Sequence, residues 1–179
     1  MKPADLVIIA LVLVGFTRQE NVQQETQKAA ETPMLTGILE RSDLNQEPYQ
    51  AWYVREYEGY ALNASLLDTL KGAAAGVEVQ IFLGTWCSDS HREVPRFYKI
   101  IDMIGIPEQA IRLVALDRAK TSPVHEEEGL NIHHVPTFIF YWDTVEIGRI
   151  IETPVRTLEE DLLDILTSAV YVPNYSELE

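Results

Sequence analysis

The sequence predicts an α/β domain with a mixed central sheet flanked by helices and preceded by a helical extension. A short β-rich run, Val77–Leu83, and an apolar run, residues 111–116, are separated by an amphipathic helical stretch. A helical crossover makes two such strands parallel. Two later runs, residues 137–142 and 145–151, are separated only by Asp143 and Thr144, which predicts an antiparallel hairpin.

The first 17 residues are predicted to be a signal peptide or a membrane anchor. Residues 6–16 form an uninterrupted apolar run behind Lys2. The run is shorter than the roughly 20 residues that a membrane-spanning helix needs, but it suits the apolar region of a secretory signal. A buried N-terminal helix is the alternative. We therefore expect an exported protein, periplasmic or tethered to the membrane and facing the periplasm.

Two segments separate this start from the main domain. Residues 18–34 are polar and rich in Gln and Glu, which is typical of a linker. Residues 35–76 are predicted to be an N-terminal helical extension. Its aromatic residues are expected to pack against the main domain, and they are Trp52, Tyr53, Tyr57 and Tyr60.

The main domain is predicted to cover residues 77–171, followed by a C-terminal tail at residues 172–179. After the first strand, residues 84–90 break the pattern, and a helix over residues 91–104 follows, kinked near Pro95. Residues 118–132 form a polar, acidic loop that leaves room for a short helix. A last amphipathic helix is predicted over residues 157–171.

Charge and cysteine content narrow the classes of function. The formal net charge is -14, with 28 acidic and 14 basic residues. Such a surface repels phosphate backbones, so no nucleic-acid partner is expected. The chain has one cysteine, Cys87, which cannot form an intramolecular disulfide and is therefore either a buried bystander or a reactive thiol.

The position of Cys87 favours a reactive thiol. It lies where the first strand gives way to a helix, in the segment GTWCSDS. The free N–H groups and the dipole of a helix N-terminus stabilise an anion, and the thiolate is the nucleophilic form of cysteine. A buried structural cysteine lies more often inside a strand or on the apolar face of a helix.

Three features resemble the thioredoxin family, over residues 77–170. The segment from Trp86 to Ser90 resembles the Trp-Cys-x-x-Cys active site, with Ser90 in place of the second cysteine. Val135-Pro136-Thr137 is similar to the family's Val-Pro-Thr loop, whose proline is cis and lies against the active-site thiol. The following hairpin resembles the closing hairpin of the fold. The sequence is most similar to exported bacterial thioredoxin-like proteins of the monothiol type.

This resemblance implies a thiol-disulfide oxidoreductase or isomerase acting on exported proteins. Cys87 would attack a substrate disulfide, Trp86 would flank the thiol and shape access to it, and the peptide groups of Val135 beside Pro136 would pair with the substrate backbone. Ser90 cannot resolve a mixed disulfide, so release requires a thiol of the substrate or an external thiol reductant. No cofactor is expected.

The neighbours of Cys87 add further expectations. Ser90 either caps the helix or bonds the sulfur of Cys87, while Asp89 opposes ionisation of the thiol through its negative charge. Arg92 and Glu93 are predicted to be solvated first-turn residues. Ile81 stands where many thioredoxins carry a buried acidic residue that assists proton transfer.

Two alternative functions stay open. The chain could be a non-catalytic binding module that kept the platform without redox cycling. Less favoured is metal handling, in which Cys87 with His91 and His134 would hold a Cu(I) or Zn ion. Protonated histidines at positions 91, 133 or 134 would instead favour the thiolate.

Overall fold

The computed structural model describes residues 33–167 and 170–176. The predicted signal or anchor and nearly all of the predicted linker lie outside these residues. Within the described part of the chain, no helix combines the length and the apolar character needed to cross a bilayer.

The centre of the fold is one five-stranded mixed sheet. Its strands are β1 (Gly37–Leu39), β2 (Val77–Leu83), β3 (Ile111–Ala115), β4 (Thr137–Trp142) and β5 (Val145–Ile151). Their order across the sheet is β1-β3-β2-β4-β5. β2 and β3 are parallel and the other neighbouring pairs are antiparallel, which confirms the predicted mixed sheet.

The hairpin between β4 and β5 confirms the sequence interpretation in detail. Asp143 and Thr144 have φ angles of 48° and 66°, the left-handed values that a two-residue hairpin turn requires. The register of the hairpin shifts between Phe140 and Tyr141. This irregularity lies toward the turn, away from the start of β4 where the candidate site is found.

The N-terminal extension is not purely helical, and here the prediction was incomplete. It contains β1, which pairs antiparallel with β3 through Ile38 and Val114. The strand is too short, at three residues, to give a recognisable alternation in the sequence. The extension's three helices then follow, namely α1 (Arg41–Leu44), α2 (Gln50–Gly59) and α3 (Ala64–Ala73).

The helices of the main domain differ from prediction at their ends. α4 spans Ser88–Ile104 and contains Pro95, so it begins three residues before the predicted start. α5 spans only Leu158–Leu166. It begins one residue later than predicted because Thr157 is its N-cap and accepts a hydrogen bond from the Glu160 N–H at 3.2 Å, and it ends five residues earlier than predicted. The loop between β3 and β4 contains turns and no helix.

The two faces of the sheet have unequal cores. The larger cluster joins alternate residues of the strands to all of the longer helices, and the predicted aromatic residues of the extension belong to it. The smaller cluster has six buried members, contributed by three strands and the β3–β4 loop, and they are Phe82, Val114, Leu116, Ile132, Val135 and Ile139. Trp86 and Cys87 pack against this smaller cluster.

The described part of the C-terminal tail folds back onto the domain. The Tyr171 hydroxyl donates to the Asp161 carboxylate at 2.9 Å, and the Asn174 amide donates to the Thr153 carbonyl at 2.9 Å. These bonds bring Tyr175 beside the loop that precedes β4.

Candidate functional site

Cys87 lies at the junction of β2 and α4, as the sequence predicted. It is the N-cap residue of α4, with extended backbone angles of φ -98° and ψ 126°. Its N–H donates to the Gly84 carbonyl at 2.9 Å, and its carbonyl accepts from the His91 N–H at 3.0 Å. The side chain is half-buried. The sulfur is therefore neither sealed in the core nor fully exposed.

The loop before β4 meets this cysteine. The Val135–Pro136 peptide bond is cis, and Cys87 Sγ lies 3.1 Å from the Val135 carbonyl oxygen. Two bonds hold the loop: Thr137 Oγ1 donates to the His134 carbonyl at 2.8 Å, and the Glu152 N–H donates to the Pro136 carbonyl at 2.7 Å. The structure thus brings Cys87, Val135 and Pro136 together from segments about 50 residues apart.

The contact between Cys87 Sγ and Val135 O has a chemical consequence. A carbonyl oxygen only accepts, so the thiol donates its proton to Val135 in this reduced state. The Val135 N–H has no hydrogen-bond partner within the described part of the chain, which leaves a backbone donor beside the sulfur.

Trp86 is fixed beside Cys87 by a hydrogen bond and by close packing. Its indole Nε1 donates to the Leu116 carbonyl at 2.9 Å. A Cβ added at Gly84 would lie only 2.7 Å from the indole ring, so a side chain at that position would displace the ring. The guanidinium of Arg118 and the ammonium of Lys120 lie 5.0 Å and 5.4 Å from the ring, within the range of cation–π attraction.

Ser90 is fully buried. Its hydroxyl accepts a hydrogen bond from the Gly84 N–H at 3.1 Å. The predicted bond to the Cys87 sulfur is not found among the described residues, because the hydroxyl faces the end of β2 instead. Ser90 thus ties α4 to the strand that precedes it.

His91 is turned away from the thiol. Its Nε2 lies 2.8 Å from the Thr85 carbonyl, so this nitrogen carries a proton because the carbonyl can only accept. The imidazole is stacked on the Trp52 indole with ring centroids 4.4 Å apart. The extension therefore covers this histidine, a contact that sequence spacing could not reveal.

The two histidines before β4 take different environments. His133 is exposed, whereas the His134 ring is stacked on Tyr175 with centroids 4.1 Å apart. His134 Nδ1 also lies 3.5 Å from the Glu152 carboxylate. The described residues contain no group of three or more His, Cys, Asp or Glu side chains placed to hold a metal ion, so Cys87, His91 and His134 are not brought together as a ligand set.

The prediction for Glu93 was wrong. Its side chain is only 4% exposed and accepts a hydrogen bond from the Arg92 Nε at 2.5 Å. Arg92 also pairs with Asp89 at 2.7 Å and thereby offsets the charge expected to oppose ionisation of Cys87. Burial raises the pKa of Glu93 above its usual value, although Arg92 and Arg96 act in the opposite direction.

The extension also holds the site loop directly. The Leu35 N–H donates to Thr85 Oγ1 at 3.0 Å, and Thr85 is buried. Together with the stacking of Trp52 on His91, this bond makes residues before the main domain part of the support of the site. Neither Leu35 nor Trp52 has a local sequence signal that would have identified this role.

Comparison with known proteins gives structural likeness alone. No protein-family model and no curated protein matches the chain. A protein of unknown function from Pseudomonas aeruginosa is similar in structure, with a TM-score of 0.53 and 15% identity, over 70% of this chain and 87% of that chain. An HIV epitope-scaffold protein gives a TM-score of 0.52 and 15% identity, over 70% of this chain and 88% of that one. These neighbours share the mixed α/β architecture.

Proposed function

We propose that this chain is a monothiol thioredoxin-like protein that exchanges disulfides through Cys87. The observation that carries the proposal is the half-buried thiol at a helix N-terminus, 3.1 Å from the carbonyl before cis Pro136. The strand order and the mixed pairing are compatible with a thioredoxin fold that carries an additional N-terminal strand. The resemblance in sequence and this juxtaposition support the same chemistry.

The exchange needs three sulfurs and no cofactor. The Cys87 thiolate attacks one sulfur of a substrate disulfide, a new disulfide forms, and the other substrate sulfur leaves as a thiolate. For this step the thiol must give up its bond to the Val135 carbonyl. That carbonyl and the adjacent N–H are then available to the backbone of the substrate.

Resolution must come from another molecule or from the substrate. Ser90 has no thiol, is fully buried and is bonded to Gly84. An external thiol, or a second thiol of the substrate, therefore attacks the mixed disulfide and releases Cys87. The apolar N-terminal run supports an exported location, with exported thiol or disulfide proteins as the partners.

The test is disulfide exchange by the full-length reduced protein with glutathione disulfide at pH 7, followed by mass spectrometry. The control is the double variant Cys87→Ser, Thr69→Cys, which carries its one thiol at an exposed position in the second half of α3, away from the N-terminus of that helix. We expect Cys87 to exchange about tenfold faster than the relocated thiol, because only Cys87 combines a helix N-terminus with the loop before cis Pro136. Added dithiothreitol should release the bound glutathione.

A binding module is the alternative outcome. The observation that favours it is the hydrogen bond from the Cys87 thiol to the Val135 carbonyl, which engages the sulfur within the protein. If Cys87 exchanges no faster than the relocated thiol, the redox proposal is overturned and a binding role is favoured.

A further inference from the structure

Among the described arginines, Arg118 differs from the others in its lack of an ion pair with a carboxylate. Seven of them form ion pairs with carboxylates, and these are Arg41, Arg55, Arg92, Arg96, Arg112, Arg149 and Arg156. Arg118 alone forms none within this part of the chain, and it lies over the Trp86 ring instead. An arginine without a carboxylate partner is unexpected in a protein with a net charge of -14.

The loop that carries Arg118 is held in a defined shape. The Asp117 carboxylate accepts hydrogen bonds from the N–H groups of Ala119 and Thr121, at 2.8 and 3.0 Å. The hydrogen bonds from Thr121, with that from Ala119, lower the pKa of Asp117. This carboxylate offsets part of the Lys120 charge, but its oxygens accept from N–H groups and from the Thr121 hydroxyl of its own loop. Arg118 and Lys120 are thereby both presented to the indole.

The indole in turn lies next to the thiol. Trp86 and Cys87 are consecutive, and both pack against the smaller core cluster. On α4, the Asp89 and Glu93 carboxylates are both paired with Arg92. The two cations over Trp86 therefore form a local positive rim on a molecule that otherwise repels anions.

We propose that Arg118 and Lys120 select disulfides that carry negative charge beside the exchanging sulfurs. This inference rests on the proposed function and names its substrate class. During exchange the negative charge of the attacking Cys87 thiolate spreads to the sulfur that leaves. Two nearby cations attract an anionic disulfide and stabilise its departing thiolate, and no further reactant is needed.

The test compares two aromatic disulfides with the full-length reduced protein. One is 5,5′-dithiobis(2-nitrobenzoate), which carries two carboxylates, and the other is 4,4′-dithiodipyridine, which is neutral at pH 7. The absorbance of the released thiol gives the second-order rate constant for each reagent, and the quantity compared is the ratio of the two rate constants. The neutral reagent reports access to Cys87, so a simple displacement of Trp86 would change both rates.

The site variant is Arg118→Gln, Lys120→Gln. Its matched control is Arg55→Gln, Lys71→Gln, which removes the same charge from exposed positions on α2 and α3. We expect the ratio to fall about tenfold in the site variant at low ionic strength and less than about twofold in the control. This fall in the ratio should be smaller in 0.5 M salt, where the screening length is about 3–5 Å.

Equal ratios in the two variants overturn the selectivity, while Cys87 exchange itself stands. If neither reagent reacts with Cys87 in the parent protein, the proposed function fails and this inference fails with it.

Discussion

The two faces of the sheet are built differently. One face is covered by α2, α3, α4 and α5, and its core includes Phe97, Phe138 and Phe140. The other face has the small cluster of six buried residues, and the β3–β4 loop is its cover. Cys87 and Trp86 pack on the loop-covered face.

The contrast assigns most of the stabilising burial to one face and the candidate site to the other. Apolar burial contributes roughly 25 cal/mol per Å², so the helix-covered face supplies most of the stabilising free energy. The loop-covered face buries less and has at its edge the thiol, the indole and the carbonyl of Val135. We therefore expect substitutions on the two faces to affect different measurements.

The largest effect is expected for Phe138→Ala on the helix-covered face. Phe138 is fully buried, and its ring lies 4.7 Å from that of Phe97. Removing it leaves a cavity, so the free energy of unfolding should fall by about 3–5 kcal/mol. Urea denaturation measures this loss, and Phe138→Leu should lose less. A loss below about 1 kcal/mol would show that this face does not dominate stability.

Gly84→Ala, a substitution beside the candidate site, is expected to have a moderate effect on stability. The new Cβ would lie 2.7 Å from the Trp86 indole, and the indole is held by its bond to Leu116. We expect a loss of about 1–3 kcal/mol with a changed tryptophan fluorescence spectrum. Gly72→Ala is the control, since no atom lies within 4 Å of its added Cβ. Unchanged fluorescence in Gly84→Ala would contradict the fixed position of Trp86.

Two conservative substitutions, one on each face, are expected to reduce stability by similar amounts. Ile139 belongs to the loop-covered cluster with Val135, whereas Ile81 belongs to the helix-covered core, and both are fully buried. Ile139→Val and Ile81→Val should each cost about 0.5–1.5 kcal/mol. Only Ile139→Val should change the rate at which iodoacetamide alkylates Cys87. Equal alkylation rates in the two variants would contradict the expectation that only the loop-covered face affects the site.

The smallest expected effect is a pH dependence from Glu93. Because burial raises its folded-state pKa above about 4.5, the folded protein binds the proton more tightly than the unfolded chain. The contribution of Glu93 to stability is therefore most favourable below that pH and declines as pH rises toward the folded-state pKa. Unfolding free energies from pH 4 to 8 should show this decline relative to Glu93→Gln. A stability of the parent that rises with pH relative to that of Glu93→Gln would refute it.

Most of the sheet could be predicted from local sequence. β2, β3, β4 and β5 are runs of five to seven residues rich in β-branched and aromatic side chains, and the hairpin turn has its own signal at Asp143 and Thr144. β1 could not be predicted in this way, because a three-residue strand exists only through its pairing with β3.

The site was predictable where neighbours in sequence define it and unpredictable where tertiary packing does. Cys87 and Pro136 stand in recognisable local patterns. The burial of Glu93 depends on how α4 packs in the folded chain, and the stacking of Trp52 on His91 joins segments about 40 residues apart. No local spacing encodes such contacts.

The buried hydroxyl of Ser90 limits how readily this site could acquire a second thiol. A cysteine at position 90 would supply an internal nucleophile, but sulfur is a weak acceptor, and the Gly84 N–H would lose a good partner. Self-resolution and a well-anchored strand end therefore compete for one side chain. In this chain the anchor occupies that position, so the disulfide exchange proposed above would depend on thiols supplied from outside.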